Sequence, residues 1–461
     1  MPDQSLIQHL QEVVGPTKVR SSLEDRIAYS YDGTFEQALP DVAVLPESND
    51  DVVKTLQVAG EHGAPVVPRG MASGLAAASI PFGGGIVLSL TKMNRILEID
   101  EENRTVRAQA GIITVDLEKE VEKVGLFYPP DPSSNEQSTI GGNIACNAGG
   151  PRCLKYGVTG DYVMGLTVVL SDGQVLRTGG KAIKNVVGYD LTSLFVGSEG
   201  TLGIITESLL RLMTKPRAVR TALAEFPVLE DASQTVNAIL AAGIIPATLE
   251  MIDETAIACI EEAMELGLPL DVEAMLIIET DGADEETVVR EIETVARVCR
   301  ENGAREVSVA RDDEERDRLW RARRSVSPSL ARKAPNKLGE DITVPRSAIP
   351  EAIRRIKAIS EEYGLPVAIF GHAGDGNLHP NILFDKRDEV QWRKVEQIVA
   401  DIFQVALDLE GTLSGEHGVG TLKLPYMKQA VGALSLDVQR RIKKAFDPQG
   451  ILNPGKVLPG D

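Results

Sequence analysis

Over the first 215 residues the apolar positions fall in short runs, broken by turn-forming residues and a few helix-spaced stretches. The run Asp41 to Leu45 predicts a strand. Ser48-Asn-Asp-Asp then supplies an N-cap and an acidic first turn for a helix reaching Glu61, with Gly63 as its terminator. Ala64 to Val67 predicts a second strand, which delivers the chain to Pro68-Arg69-Gly70-Met71-Ala72-Ser73-Gly74. A strand running into a glycine-containing turn presents backbone N–H groups to a phosphate. Ile86 to Leu90, Ile96 to Asp100 and Thr105 to Ala110 predict three more strands, and Val115 to Val124 a helix.

At Lys215-Pro216 the pattern changes. Strand and helix patterns then alternate, with Thr221 to Phe226 and Ala274 to Glu279 as strands, and Leu229 to Ala242 and Ala283 to Asn302 as helices. This predicts an antiparallel sheet with helices on one face, a separate α+β domain. Glycine follows the same division. Fifteen glycines lie between Gly125 and Gly203, against five from Ile204 to Tyr363. Dense glycine marks close backbone approach or positive φ, so the early part reads as a ligand cradle. The expected organisation is a first domain over 1–215, a second over 216–420, and a tail over 421–461 that packs back on the first.

Composition narrows the classes. A chain of 461 residues with 43% hydrophobic and 25% charged residues is long enough for two or three globular domains. The net charge of −20 argues against a generic nucleic-acid or anionic-lipid surface, while leaving room for a local basic pocket. Cys146, Cys153, Cys259 and Cys299 form no CxxC pair, no metal-like spacing and no iron–sulfur arrangement. With no leader-like amino terminus and no long apolar run, the expectation is a cytoplasmic protein that meets a membrane only through a partner.

Two groups of residues carry the chemistry. The first comprises the 69–74 turn, Ser138-Thr139-Ile140-Gly141-Gly142-Asn143, Asn147-Ala148-Gly149-Gly150, and Gly197-Ser198-Glu199-Gly200-Thr201-Leu202-Gly203-Ile204. Small and hydroxyl residues at this density suit a large flat ligand with a pyrophosphate. No G-x-G-x-x-G follows an amino-terminal strand and no G-x-x-x-x-G-K-[ST] occurs, which sets aside the Rossmann and P-loop folds. The second group holds three of the five histidines. His372 and His379 flank a glycine turn between two strand patterns, so a hairpin brings them side by side. Glu416 and His417 add a carboxylate and a third imidazole, and two imidazoles with one carboxylate suit a divalent ion such as zinc. Adjacent residues project differently, so Glu416 and His417 are expected to divide the work. The segment Leu319-Trp-Arg321-Ala-Arg323-Arg324 offers arginines to an anionic substrate.

Together these motifs resemble the FAD-linked oxidases of the vanillyl-alcohol oxidase type, in the branch of glycolate oxidase FAD subunits and D-lactate dehydrogenases. The resemblance implies a two-subdomain FAD-binding domain and an antiparallel-sheet α+β substrate domain. It implies that Arg69, Gly70, Ser73 and Gly74 cradle the pyrophosphate of a non-covalent FAD. Pro130, Ser138, Thr139, Gly142, Asn143 and Gly149 would then line the flavin and ribityl chain, Glu199, Gly200 and Ile204 the adenosine side, with Asn453 a further FAD contact. Met71 and Ala72 stand where relatives more often carry glycine. His372, His379 and Glu416 are implied as metal ligands, His417 as the base, and Arg323, Asn381 and Ser327 as substrate contacts. Lys337 lies close to the lysine that the family sometimes carries before the Glu340-Asp341-Ile-Thr-Val-Pro strand, but not in register with it.

The implied reaction is FAD-dependent, metal-assisted oxidation of a small 2-hydroxy acid, D-lactate or glycolate first, to the 2-keto acid. Electrons would leave through an iron–sulfur subunit or an electron-transferring flavoprotein. Two other readings compete: a metallohydrolase built on the His/His/Glu set, and a non-catalytic FAD electron carrier.

Overall fold

The computed structural model describes residues 2–460, which form two compact units. The first takes residues 2–149, 158–215 and 416–460, and the second residues 150–157 and 216–415.

In the first unit the strands Val42–Val44, Ile86–Ser89 and Val66–Arg69 lie parallel, with Val19–Arg20 antiparallel at one edge. Val42–Val44 and Ile86–Ser89 are buried at every position, as parallel strands covered on both faces must be. The helix Asn49–His62 starts where the Ser48 hydroxyl accepts from the Asp51 N–H and ends at Gly63, whose φ of 60° closes it. A second, antiparallel sheet has the order Ile96–Asp100, Thr105–Gln109, Ile204–Arg211, Val163–Val169, Val175–Gly179. The carboxyl-terminal segment returns to the first sheet. Val66 N–H donates to Ile451 O at 2.7 Å, and Asn453 N–H donates to Val66 O at 2.8 Å.

The second unit is an eight-stranded antiparallel sheet. Its central order runs Ala218–Phe226, Ala274–Gly282, Thr248–Asp253, Val367–His372, Asn377–Phe384. Helices were expected on one face only, and the structure corrects this. Ile252, Met275, Ile277 and Phe370 share one apolar cluster with residues of the helices Glu254–Met264 and Asp313–Lys333. Their strand neighbours Met251, Leu276, Ile278 and Ile369, which point the opposite way, are fully buried too. The helices Leu229–Ala241 and Glu285–Glu301 pack on these strands and on each other.

The unit boundaries also differ from the expected ones. Cys153–Tyr156 joins the second unit because Lys155 and Tyr156 both bond the Asp281 carboxylate, at 2.5 and 2.7 Å. Residues from Glu416 join the first because Glu199 holds the following turn by its backbone.

Candidate active site

The first unit contains a cavity of about 1320 Å³, counting space open to solvent. Arg69, Gly70, Ser73 and Gly74 line it, with Ser138, Thr139, Gly142, Asn143, Glu199, Gly200, Asn453, Glu416 and His417. Its walls need the smallest residues. A Cβ on Gly70 would sit 2.2 Å from Thr139 Oγ1, and one on Gly200 2.2 Å from Pro68 Cγ. The Thr139 hydroxyl is itself engaged, accepting from the Gly142 N–H at the start of the helix Ile140–Cys146. Thr114, which the sequence did not single out, fixes two wall residues. Its Oγ1 lies 3.0 Å from Ser138 Oγ and accepts from the Asn143 amide at 2.8 Å. Arg69 donates to the Tyr31 carbonyl at 2.6 Å, so part of its guanidinium is spent on anchoring the loop. Ala72 adopts a φ of 56°, a left-handed conformation that favours glycine.

Three expected cavity residues do not line it. Ile204 is fully buried in its strand, and alternation gives the cavity to Ile205 instead. Pro130 and Gly149 are buried, and their near neighbours Pro132, Ser133 and Ala148 line the cavity.

Glu199, expected as an adenosine contact, lines the cavity and has a second part as well. Its carboxylate accepts from the Val419 N–H at 2.7 Å and the Gly420 N–H at 2.8 Å, and thereby holds the turn that carries Glu416 and His417. Asn453 donates to the Glu199 carbonyl at 2.7 Å and fixes the same place from the tail. Burial pushes the Glu199 carboxyl above its ordinary value, against these N–H donors and the charges of Lys423 and Lys456. Burial likewise pulls the Lys456 amine down to about 8. His417 Nε2 stands 3.8 Å from Glu416 Oε1, so the neighbours are close without sharing a hydrogen bond of ordinary length.

The second unit holds the other two histidines of the group. In the hairpin Phe370 pairs with His379 and His372 with Asn377, which sets both imidazoles diagonally on one face. Their ring centroids are 5.2 Å apart with planes at 84°. One ring nitrogen of each lies within 4.8 Å of the other. On the next strand Glu250 stands in register with His372, and its Oε1 is 2.5 Å from His372 Nδ1. A carboxylate on one ring nitrogen fixes the orientation of the imidazole, as carboxylates do for histidines that bind metals through the other nitrogen.

Arg323 shares this carboxylate, donating from Nε to Glu250 Oε2 at 2.6 Å while its guanidinium lies 4.8 Å from the Phe370 ring centroid. It is therefore an ion-paired arginine, a contact the sequence reading did not foresee. Burial alone would raise the Glu250 carboxyl, but His372 and Arg323 overcome it and hold it at about 2. Asn381 is buried and donates to the His379 carbonyl at 2.8 Å. Ser327 is exposed and accepts from Lys337 at 2.7 Å. Glu250 is the residue the sequence reading missed. A single glutamate in Thr248-Leu-Glu-Met-Ile-Asp has no spacing that marks it.

Comparison with known proteins agrees with this architecture. Residues 40–179 match the FAD binding domain model, and residues 215–457 match FAD linked oxidases, C-terminal domain. The chain belongs to the FAD-linked oxidases and is a FAD-binding oxidoreductase. It is 48% identical to the glycolate oxidase subunit GlcD of Bacillus subtilis, over 98% of this chain and 97% of that protein. It is 34% identical to a D-lactate dehydrogenase of Anaerostipes hadrus, over 98% and 97% of the two chains. In fold it is similar to p-cresol methylhydroxylase, with a TM-score of 0.81, 17% identity, and 99% and 97% of the two chains covered.

Proposed function

We propose that this oxidoreductase dehydrogenates a small 2-hydroxy acid, D-lactate or glycolate, to the 2-keto acid. The observation that carries the reading is His417 lining the same cavity as the Arg69–Gly74 loop. The two relatives named for glycolate and D-lactate support the substrate class. The glycine walls and the cavity volume fit FAD, which when bound supplies the hydride acceptor. His417 takes the proton of the substrate hydroxyl as general base. His372, His379 and Glu416 would hold a divalent cation, zinc first, which would supply Lewis-acid stabilisation of negative charge on the substrate oxygen. Support for the ion is the donor chemistry, two imidazoles of which one is oriented by Glu250. Arg323 uses Nε on Glu250 and retains other guanidinium donors for the substrate carboxylate. Asn381 and Ser327 complete the substrate contacts.

Electrons pass to a second protein, an iron–sulfur subunit or an electron-transferring flavoprotein. Ile183, Val186, Val187 and Tyr189, each at least 89% exposed within one short segment, support a protein docking surface. Among the described residues no helix is long and apolar enough to cross a membrane. The reading places the protein in the cytoplasm, with membrane contact made through that partner.

The test is anaerobic mixing of the purified protein with D- and L-2-hydroxy acids while flavin absorbance is followed, with bound metal measured on the same sample. Bleaching by D-lactate or glycolate, with metal present, is expected. A colourless protein would favour the metallohydrolase, and a yellow protein that none of the acids bleaches would favour the electron carrier.

A further inference from the structure

Three of the five histidines belong to the site above, and the remaining two, His9 and His62, meet each other although 53 positions separate them. His9 lies in the helix Gln4–Val14, and His62 is the last residue of the helix Asn49–His62. These helices pack together within the first unit. His9 Nδ1 is 3.2 Å from His62 Nε2, with ring centroids 5.4 Å apart and planes inclined at 56°. Glu61 Oε2 is 3.8 Å from the same His9 Nδ1. The His9 and Glu61 side chains are 34% and 66% exposed, so an ion can reach them from solvent.

Two neutral imidazoles in this position share one N–H between two nitrogens. The same spacing fits a metal. Two nitrogens each about 2.0–2.1 Å from a tetrahedral centre stand roughly 3.3–3.4 Å apart, within a small adjustment of the distance seen here. Either imidazole can move its proton to its other nitrogen and so offer a lone pair, and the Glu61 carboxylate, 3.8 Å from His9 Nδ1, supplies charge and, by turning about its side-chain torsions, a third donor. Imidazole with carboxylate selects the zinc, nickel and copper class over magnesium or calcium. We propose that His9, His62 and Glu61 form a second, non-catalytic site for a divalent transition-metal ion, clamping the amino-terminal helix to the helix Asn49–His62.

The test compares the full holoenzyme with its His9→Gln and His62→Gln variants in equilibrium dialysis against graded free Zn²⁺. Each variant should bind one Zn²⁺ fewer than the parent, whatever the occupancy of the proposed catalytic site. Zn²⁺ should also raise the thermal midpoint of the parent by roughly 2–4 °C more than that of either variant. Equal stoichiometry in parent and variants overturns the proposal. An arm on the unmodified protein needs no variant to fold. Zn²⁺ should protect His9 and His62 from diethyl pyrocarbonate, read by peptide mass mapping, and equal modification with and without Zn²⁺ overturns the proposal independently.

Discussion

The cavity of the first unit and the histidine cluster of the second are built on opposite principles. The cavity excludes side chains. Its walls are glycines, small residues and hydroxyls already bonded to one another, so it recognises by shape and backbone. The cluster concentrates side chains instead, with a fully buried glutamate between an imidazole and a guanidinium. One region is sensitive to added atoms and the other to removed charge. The contrast predicts that flavin binding and the charged cluster can be damaged separately in one chain.

The largest effect should come from adding bulk to the cavity. Gly70→Val places carbon where Thr139 Oγ1 already stands, 2.2 Å from the ideal Cβ position. The variant should purify without flavin, read from its visible spectrum. Retention of stoichiometric FAD would break the shape argument.

Removing charge from the cluster should follow. Glu250→Ala leaves Arg323 and His372 facing a buried gap, and losing one partner of such a pair costs about 3–5 kcal/mol. Urea denaturation should show that loss. Metal retained on dialysis should fall as well, by about 10–100-fold in affinity, if the carboxylate orients His372 as proposed. FAD content should not change, which is what distinguishes this variant from the first.

A smaller effect tests whether burial of charge in the second unit always finds compensation. Asp253 caps the helix Glu254–Met264 through Oδ1, while its buried Oδ2 has no hydrogen-bond partner. Burial, with Glu254 beside it, pushes its carboxyl up to about 7. A raised acid binds its proton more tightly in the folded state, so stability should fall as pH rises from near 4 to about 7. Asp253→Asn keeps the cap, should remove that slope, and should stabilise the protein at pH 8 by about 1–3 kcal/mol. Unchanged pH dependence in the variant would contradict this. Smallest of all, Ala72→Gly relieves a left-handed alanine and should stabilise the loop by at most about 1 kcal/mol, read as a slight rise in thermal midpoint.

The two regions also differed in how far the sequence revealed them. Glycine-rich turns are contiguous, so the Arg69–Gly74 and Ser138–Asn143 segments could be read as a cradle before any fold was known. The helix Asn49–His62 was equally plain, because its cap and its terminator are local chemistry. What escaped depended on facing. Ile204 and Ile205 are equal in sequence, and only the sheet decides which meets the cavity. Helices on both faces of the second sheet were missed because buried strands lack the alternation that marks a half-exposed one. Glu250 escaped for a related reason: its partners come from a neighbouring strand and a distant helix. Glu199 was recognised within its motif, but the turn it holds lies 220 residues further on.

The central claim is that His417 removes the substrate proton in a cavity that binds FAD without needing it. Anaerobic reduction of the bound flavin in His417→Ala, with FAD content measured on the same sample, tests it most directly. The flavin should remain bound and its reduction by D-lactate or glycolate should slow by about 10²–10⁴-fold. Reduction at the parental rate would contradict the assignment.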